Sequence, residues 1–581
     1  MGEGLKCNSA VRERRRWLDY ELPLAIYVIA GVMVAMRQRN DIHNDVVAYV
    51  RRAMYLAQGD FYHAISSYWS PMISWCITPL VYLGMDGLYA ARAVCCVWGA
   101  VLVVTFAVFL RTFTSLGRGW RLATTCVVAL IAVQVSGDSI TPDVILGACL
   151  FAYLAAACSA TLMQRRGTQL AAGLLGGVAY LGKAYAFPLV LVHMPLTLTL
   201  RAFAMWRSGD GGSGPIPPRQ AIRRAMGALV LFMMGFVIVA GPWIGILTWR
   251  YGRVTYSSVG AAAHALVGPR ADRKVFEPFM VPENPYIIAW ENPEMVHHGY
   301  WSPFEGRREF LFQLRIIQRQ ATAVWQTVWR FDSLHLGGIS IAAAAVGVVV
   351  AALLARTGLF RPSAEQWKTP WLLMTMAVYC SGFLPIYFAP RYIMAFVLPL
   401  SLVLCLKLAM ELPAVMPRMA GTAAGVVRMC ARIALGVVVL GSFGYMGGQR
   451  VYKELRNPST KVYRQISDEI KRRGLKGAIA SNDRVRTFNL ALHVGEKFVG
   501  FPADDDLDLV DRKLRECDTG ILIVWQGETR RGESSGSAKR APELAQRASW
   551  RYLFSSHGAD VYAPTWSLPQ TTRPATAPLD R

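Results

Sequence analysis

Charge is scarce in this chain. Only 17% of its 581 residues are Asp, Glu, Lys or Arg, while 54% are hydrophobic. That balance excludes an ordinary soluble enzyme of this length. Acids are the scarcer sign, and the formal net charge is +24. The excess of base does not point to nucleic acid, because no basic patch interleaved with aromatics occurs and the Lys and Arg residues gather at the ends of apolar runs. Metal spacing is also missing. No CxxC pair and no His/Cys ligand pattern is present, and the eleven cysteines do not form a disulfide framework. Most of them (Cys95, Cys96, Cys126, Cys149, Cys158, Cys380, Cys405 and Cys430) fall inside apolar runs, where Cys acts as a small apolar residue. The adjacent His297 and His298 cannot easily both face one ion. A divalent cation therefore has no ligand set to support it, and no cofactor is expected. The first apolar run follows "RERRRW" without a small-residue cleavage site, so it reads as an uncleaved anchor.

What is abundant is apolar runs of near-spanning length. About eleven of them predict transmembrane helices near 20–36, 88–110, 121–136, 142–163, 168–182, 186–200, 226–249, 336–355, 370–389, 392–411 and 429–447. The fold class expected is thus an α-helical polytopic membrane protein with a small C-terminal α/β domain. Arg12, Arg14, Arg15 and Arg16 precede the first run, and alternate later loops are again rich in Arg. This pattern places the N-terminus in the cytoplasm and the C-terminal domain outside it. Arg37, Arg39, Arg51 and Arg52 dissent. Two outer segments are large, 37–87 and 250–335. The second contains a stretch near 306–330 that reads as an amphipathic helix at the membrane interface, with Trp325 and Trp329.

Past residue 448 the composition turns polar. We expect a transmembrane domain over 1–448, an α/β domain over 449–565 and a disordered tail over 566–581. In the α/β domain "VYRQISDEIKRRG" predicts a helix stopping at Gly474, and "GAIAS" and "GILIVW" predict short buried strands. The acidic run "DDDLDLVD" lacks EF-hand spacing and reads as solvated or capping.

Ionisable groups at the edges of apolar runs are costly and tend to be functional. Four places stand out. In "RNDIHNDVVAYVRRAM", Asp41, Asp45 and Tyr49 recur every four residues, so a helix would line them on one face; capping by Asp41 or Asn44 explains the acids equally well. Asp138 and Asp143 lie in "SGDSITPDVIL", Lys183 in "GGVAYLGKAYAFPLVL" and Arg391 in "YFAPRYIMAF". Asp143 could instead cap its helix after Pro142, and Lys183 and Arg391 could snorkel to the interface. Together the four places suggest an outward polar cavity. Its acids would suit a general base, and its cations would suit a phosphate on a lipid-borne substrate.

The ordered set "NDVVAYVRRAMYLAQGDF", "YWSPMISW" (with Trp69), "TPDVILGACL", "GGVAYLGKAYAFPLVL" and "PRYIMAFVLP" resembles the polytopic glycosyltransferases of the GT-C superfamily, in particular bacterial relatives of protein O-mannosyltransferases and aminoarabinose transferases (family 39/83-like). The resemblance covers about residues 20–412. It implies an inverting transfer of a sugar from a polyprenyl-phosphate donor to an acceptor hydroxyl or amine of a protein, lipid or glycan, at the outer face of a bacterial inner membrane. By motif position Asp45 inherits the role of base, with Asp41 in reserve. Tyr49, Trp69, Asp138 and Asp143 would position substrate, and Lys183 and Arg391 would bind the polyprenyl phosphate. The chain departs from the pattern in two places. The paired acids of the first loop are here Asn44-Asp45, and "YWSPM" stands where aminoarabinose enzymes carry a Glu-Lys-Pro-type motif. The same charges could also serve a transporter or lipid flippase, although no internal repeat is evident, or a non-catalytic relative.

Overall fold

The computed structural model describes residues 2–42, 44–137, 140–208, 216–270, 299–356, 367–415, 422–457, 461–502, 506–526 and 540–566. The chain divides into two compact units. The larger comprises Met1–Arg39, Arg52–Ala271 and Gly299–Ser459. The smaller comprises Asn40–Arg51, Asp272–His298 and Thr460–Arg581.

The larger unit is a bundle of apolar helices, and each of the eleven predicted runs carries one. Among the described residues six are long and apolar enough to cross a bilayer: Tyr20–Arg37, Gly87–Leu110, Arg118–Gly137, Ala186–Arg207, Pro218–Tyr251 and Gly425–Arg456. The chain is a multi-pass membrane protein. The remaining runs carry Asp143–Ala157, Arg166–Gly182, Leu336–Arg356, Lys368–Ser381 and Val397–Val415. The run near 142–163 narrows to Asp143–Ala157, because Pro142 fixes its start and its C-cap is Cys158. The run near 370–389 stops at Ser381. The run near 392–411 opens with the one-turn helix Arg391–Met394 before Val397–Val415.

Local chemistry sets these ends. Asp86 caps Gly87–Leu110, its carboxylate accepting from Leu88 N at 3.0 Å and Tyr89 N at 3.3 Å. Gly252, at φ +64°, ends Pro218–Tyr251 in the left-handed region. Asp332 is a buried acid that sequence reading did not single out. It accepts from Leu336 N at 2.9 Å, Gly337 N at 2.8 Å and Ser442 Oγ at 2.7 Å, and so closes the start of Leu336–Arg356. Its surroundings are those of a satisfied cap. Small residues let the helices approach. A Cβ on Gly173 would lie 2.0 Å from the Phe232 carbonyl oxygen, so Arg166–Gly182 packs directly on the backbone of Pro218–Tyr251.

The smaller unit holds a five-stranded sheet: β1 (Ala478–Ser481), β2 (Phe498–Gly500), β3 (Thr519–Trp525), β4 (Trp550–Ser556) and β5 (Ala559–Pro564). The spatial order is β2-β1-β3-β5-β4. The first three strands are parallel and the last two antiparallel. β1 and β3 are the two predicted strands. The expected helix is Val462–Arg472, and Gly474 follows it at φ +69°. The acidic run behaves as a cap over its described part. Asp506 accepts from Asp508 N at 2.9 Å to start Leu507–Glu516, and Asp511 accepts from Trp550 Nε1 at 2.9 Å and Ser549 Oγ at 3.1 Å.

At the end of that helix, partial burial, with Glu516 alongside, pushes the Cys517 thiol from 9.0 to about 11. The uncharged thiol is the form the fold favours, so native reactivity is suppressed below the shifted value. We expect the alkylation rate of Cys517 in the native full-length protein to reach half-maximum near pH 11, against about pH 9 in denaturant. Peptide mapping of iodoacetamide-labelled protein across pH 7–12 reads this directly; identical native and denatured profiles would contradict it.

Candidate functional site

Three of the charges singled out in the sequence meet in the larger unit. Asp143 opens its helix immediately after Pro142, where a carboxylate is favoured by the helix dipole. One carboxylate oxygen, Oδ1, pairs with Lys183 Nζ. The other, Oδ2, accepts from Thr141 Oγ1 at 3.0 Å and lies 3.9 Å from Arg391 Nε. Asp143 does not cap its helix, because Pro142 is the N-cap and makes no side-chain cap bond; in the first turn its carboxylate instead pairs with two cations.

Each partner arrives on a break in regular structure. Lys183 is the C-cap of Arg166–Gly182, with extended backbone at φ −155° and ψ 125°. The next helix starts at Ala186. Non-helical backbone among spans is tolerated where protein or a water-filled cavity satisfies it. Here Ala184 N donates to Ser70 Oγ at 2.8 Å and Ala186 N to the Lys183 carbonyl at 2.9 Å. The first of these bonds ties the "YWSPM" element to the Lys183 turn. Trp69, its neighbour in that element, is buried and meets Tyr68 edge-on at 4.7 Å. Arg391 begins the one-turn helix Arg391–Met394.

Close packing holds that turn against the Asp143 helix. A Cβ on Gly147 would stand 2.8 Å from the Ala395 carbonyl oxygen and 3.0 Å from the Ala395 Cβ. Gly147→Val therefore forces the two segments apart. Overpacking of this kind costs about 1–3 kcal/mol. We expect a lower melting temperature in detergent and loss of the Asp143–Arg391 approach, read as weaker anion binding at the site. Unchanged melting and unchanged anion affinity would refute this reading of the contact.

The electrostatic layout is asymmetric. The Asp143 side chain is 4% exposed, against 21% for Lys183 and 30% for Arg391. One buried acid anchors two cations that remain reachable. Within this trio the cationic side chains outnumber the acid by two to one. In a low-dielectric setting such a cluster attracts an anion more strongly than the same charges in water.

Aromatic rings build one wall. Lys183 Nζ lies 4.3 Å from the Tyr392 ring centroid and the Arg391 guanidinium 5.4 Å from it. Tyr392 stacks on Phe383 at 5.4 Å, and Phe383 on Tyr185 at 4.2 Å with a 10° interplanar angle. Tyr379 OH donates to the Tyr392 carbonyl at 2.7 Å. Sequence reasoning missed Thr141, Tyr185, Phe383 and Tyr392. The available signal was proximity: Tyr185 stands two residues after Lys183, and Tyr392 directly follows Arg391.

The other predicted residues fall elsewhere. Asp138, with His297 and His298, lies outside the described residues. Asp41, Asp45 and Tyr49 belong to the Asn40–Arg51 segment of the smaller unit. The helix there is Asn44–Ala57, so Asp41 precedes it and the expected three-residue stripe reduces to Asp45 and Tyr49. Asp45 sits in the first turn, half-buried, and Tyr49 is buried. Within the same unit Arg51 donates to the Glu496 carbonyl at 2.6 Å and to the Ala491 carbonyl at 3.5 Å. Among the described residues no group of three or more His, Cys, Asp or Glu side chains is placed to hold a metal ion.

No family model and no curated protein sequence matches the chain. Among solved structures, it overlaps ArnT from Cupriavidus metallidurans bound to undecaprenyl phosphate with a TM-score of 0.49 and 15% identity, covering 94% of this chain and 99% of that one. It overlaps the archaeal oligosaccharyltransferase AglB from Archaeoglobus fulgidus, in complex with an inhibitory peptide and a dolichol-phosphate, with a TM-score of 0.46 and 12% identity, covering 96% of this chain and 76% of that one. At these values neither overlap bears on the chemistry of this chain.

Proposed function

We propose that the protein is a membrane glycosyltransferase of the GT-C type that moves a sugar from a polyprenyl-phosphate carrier to an acceptor hydroxyl or amine. The observation that carries this reading is the pairing of two reachable cations, Lys183 and Arg391, with one buried acid, Asp143, at breaks among apolar helices. A lipid-borne phosphate needs such a place: positive, next to hydrocarbon, and fixed. The aromatic wall formed by Tyr392, Phe383 and Tyr185 offers apolar surface beside it. The ordered sequence motifs support the same class, and the basic loops support a reaction on the outer face with the N-terminus cytoplasmic.

In this reading the acceptor oxygen or nitrogen attacks the anomeric carbon from the side opposite the phosphate. The bond from that carbon to the phosphate oxygen breaks, and the electron pair leaves with the phosphate. Lys183 and Arg391 neutralise the charge that develops on the leaving oxygen. The family resemblance gives Asp45 the role of base toward the acceptor proton and Tyr49 that of positioning donor or acceptor. Asp143 holds both cations in place.

The direct test incubates the purified protein in detergent with radiolabelled polyprenyl-phosphate hexoses and pentoses plus a crude envelope extract. Release of free polyprenyl phosphate with label passing to an acceptor is the expected result. A flippase or a non-catalytic relative releases none from any donor of the panel, and that outcome would reject the proposal. Lys183→Ala is expected to raise the donor KM about 10–100-fold, the range for losing a hydrogen bond to a charged group. An unchanged donor KM would leave Lys183 with only its structural pairing to Asp143.

A further inference from the structure

The helix Arg307–Trp329 presents three distinct faces. One packs on the protein through Gln313, Ile316, Gln320, Val324 and Val328, all buried. The second is apolar and uncovered: Phe310, Leu314, Ala321 and Trp325 are exposed at spacings of four, seven and four residues. The third is basic: Arg308, Arg315 and Arg319 are exposed at spacings of seven and four. Among the described residues no carboxylate pairs with any of these three arginines. The helix is 23 residues long, about 34 Å, and it runs into the apolar helix Leu336–Arg356 after a short turn.

An apolar stripe next to an arginine stripe is the pattern of a helix lying in the plane of a bilayer, its rings among acyl chains and its cations at the phosphates. The face packed on the protein is what this helix adds to that general pattern. Packing on the protein fixes its rotation, so the arginines stay on one line along the surface. At its C-terminal end a pocket of about 240 Å³ opens between Trp325, Gln326, Trp329 and Arg330. The ring centroids of Trp325 and Trp329 stand 5.7 Å apart there, and Arg330 is among the lining residues. This offers one headgroup an apolar seat with a cation beside it.

We propose that Arg308, Arg315, Arg319 and Arg330 form a binding surface for anionic phospholipid headgroups, and that the Trp325–Trp329 pocket seats one of them. This surface is separate from the Asp143 cluster and does not depend on the sugar-transfer reading. The phosphodiester of such a lipid carries one negative charge, which complements the unpaired arginine row, and its acyl chains cover the uncovered rings. Each basic group near a charged lipid surface contributes about a fivefold preference.

The test titrates the full-length protein in detergent with fluorescent short-chain phosphatidylglycerol and, separately, phosphatidylcholine. Wild type is expected to bind phosphatidylglycerol at least tenfold more tightly, with the preference shrinking as salt rises. The triple variant Arg308→Gln/Arg315→Gln/Arg319→Gln is expected to lose that preference while still binding phosphatidylcholine as wild type does. If the triple variant does not fold, the three single variants each carry a several-fold loss that serves the same purpose. Trp325→Ala is expected to weaken both lipids by filling neither the pocket nor the apolar stripe. Equal affinity of wild type for the two lipids, or an intact preference in the arginine variants, would overturn the proposal. So would arginine-dependent binding of a polyglutamate peptide without lipid selectivity, which would assign the row to an acidic protein.

Discussion

Asp45→Asn is expected to lower sugar transfer by about 10²–10⁴-fold, the range contributed by a positioned general base. The amide keeps the size and the hydrogen-bonding shape of the carboxylate but cannot accept the acceptor's proton. Donor binding should survive, because the proposed phosphate site uses Lys183, Arg391 and Asp143, none of which is altered. The signature is therefore a collapse of kcat at a nearly constant donor KM. Folding should also survive: Asp45 sits in the first helical turn, where Asn is tolerated, and it is only half-buried. Wild type and variant are compared in the labelled-donor assay, with melting in detergent as the check on folding. Full turnover in the variant would remove Asp45 from the base role and pass it to Asp41 or Asp143.

The second large effect is expected at Asp143. Asp143→Ala leaves Lys183 and Arg391 facing each other without their shared counter-ion, and it leaves Thr141 Oγ1 without its acceptor. Breaking a buried pair by removing one partner costs about 3–5 kcal/mol. Lys183 and Arg391 keep partial access to water, so the lower end of that range is the sensible expectation here. Asp143→Asn separates the two roles of the residue. Asparagine retains the Thr141 contact and starts a helix well, but it cannot neutralise either cation. If Asp143 acts only as a helix start, the Asn variant melts like wild type and binds donor like wild type. If it is the shared counter-ion, the cluster loses one negative charge, the polyprenyl phosphate product is held more tightly and turnover slows at release. Product inhibition by free polyprenyl phosphate distinguishes the two cases: an inhibition constant several-fold lower in the Asn variant is expected, and an unchanged one contradicts the counter-ion role.

The legibility of this site in the sequence followed from contrast. Asp143, Lys183 and Arg391 each interrupt an apolar background, so each was visible alone, and their mutual approach is what the fold adds. Tyr392, Phe383 and Tyr185 were invisible for the opposite reason: aromatic residues within apolar runs look like any buried core. Thr141 was overlooked because a hydroxyl beside a proline suggests a turn. The stripe of Asp41, Asp45 and Tyr49 assumed a helix that starts earlier than Asn44. In the smaller unit, β1 and β3 were readable as continuous apolar runs, the mark of strands covered on both sides. β2 is too short to signal itself. β4 and β5 alternate polar and apolar residues, and their turn was disguised: His557 and Gly558 both take positive φ, so a histidine stands where Asn or Gly would have announced a hairpin.

The order in which the charged cluster is synthesised has its own consequence. Asp143 and Lys183 are 40 residues apart, whereas Arg391 follows Lys183 by 391 − 183 = 208 residues. At ribosomal rates of about 5–20 residues per second the gap lasts roughly 10–40 s. Throughout that interval Asp143 and Lys183 are present without Arg391, and pairing of the two would compensate each other's charge on entry into the bilayer. Arg391 then brings the second cation to Asp143. If the proposed function holds, a ribosome-stalled chain ending before Arg391 should integrate normally yet bind a polyprenyl phosphate more weakly than the full chain does.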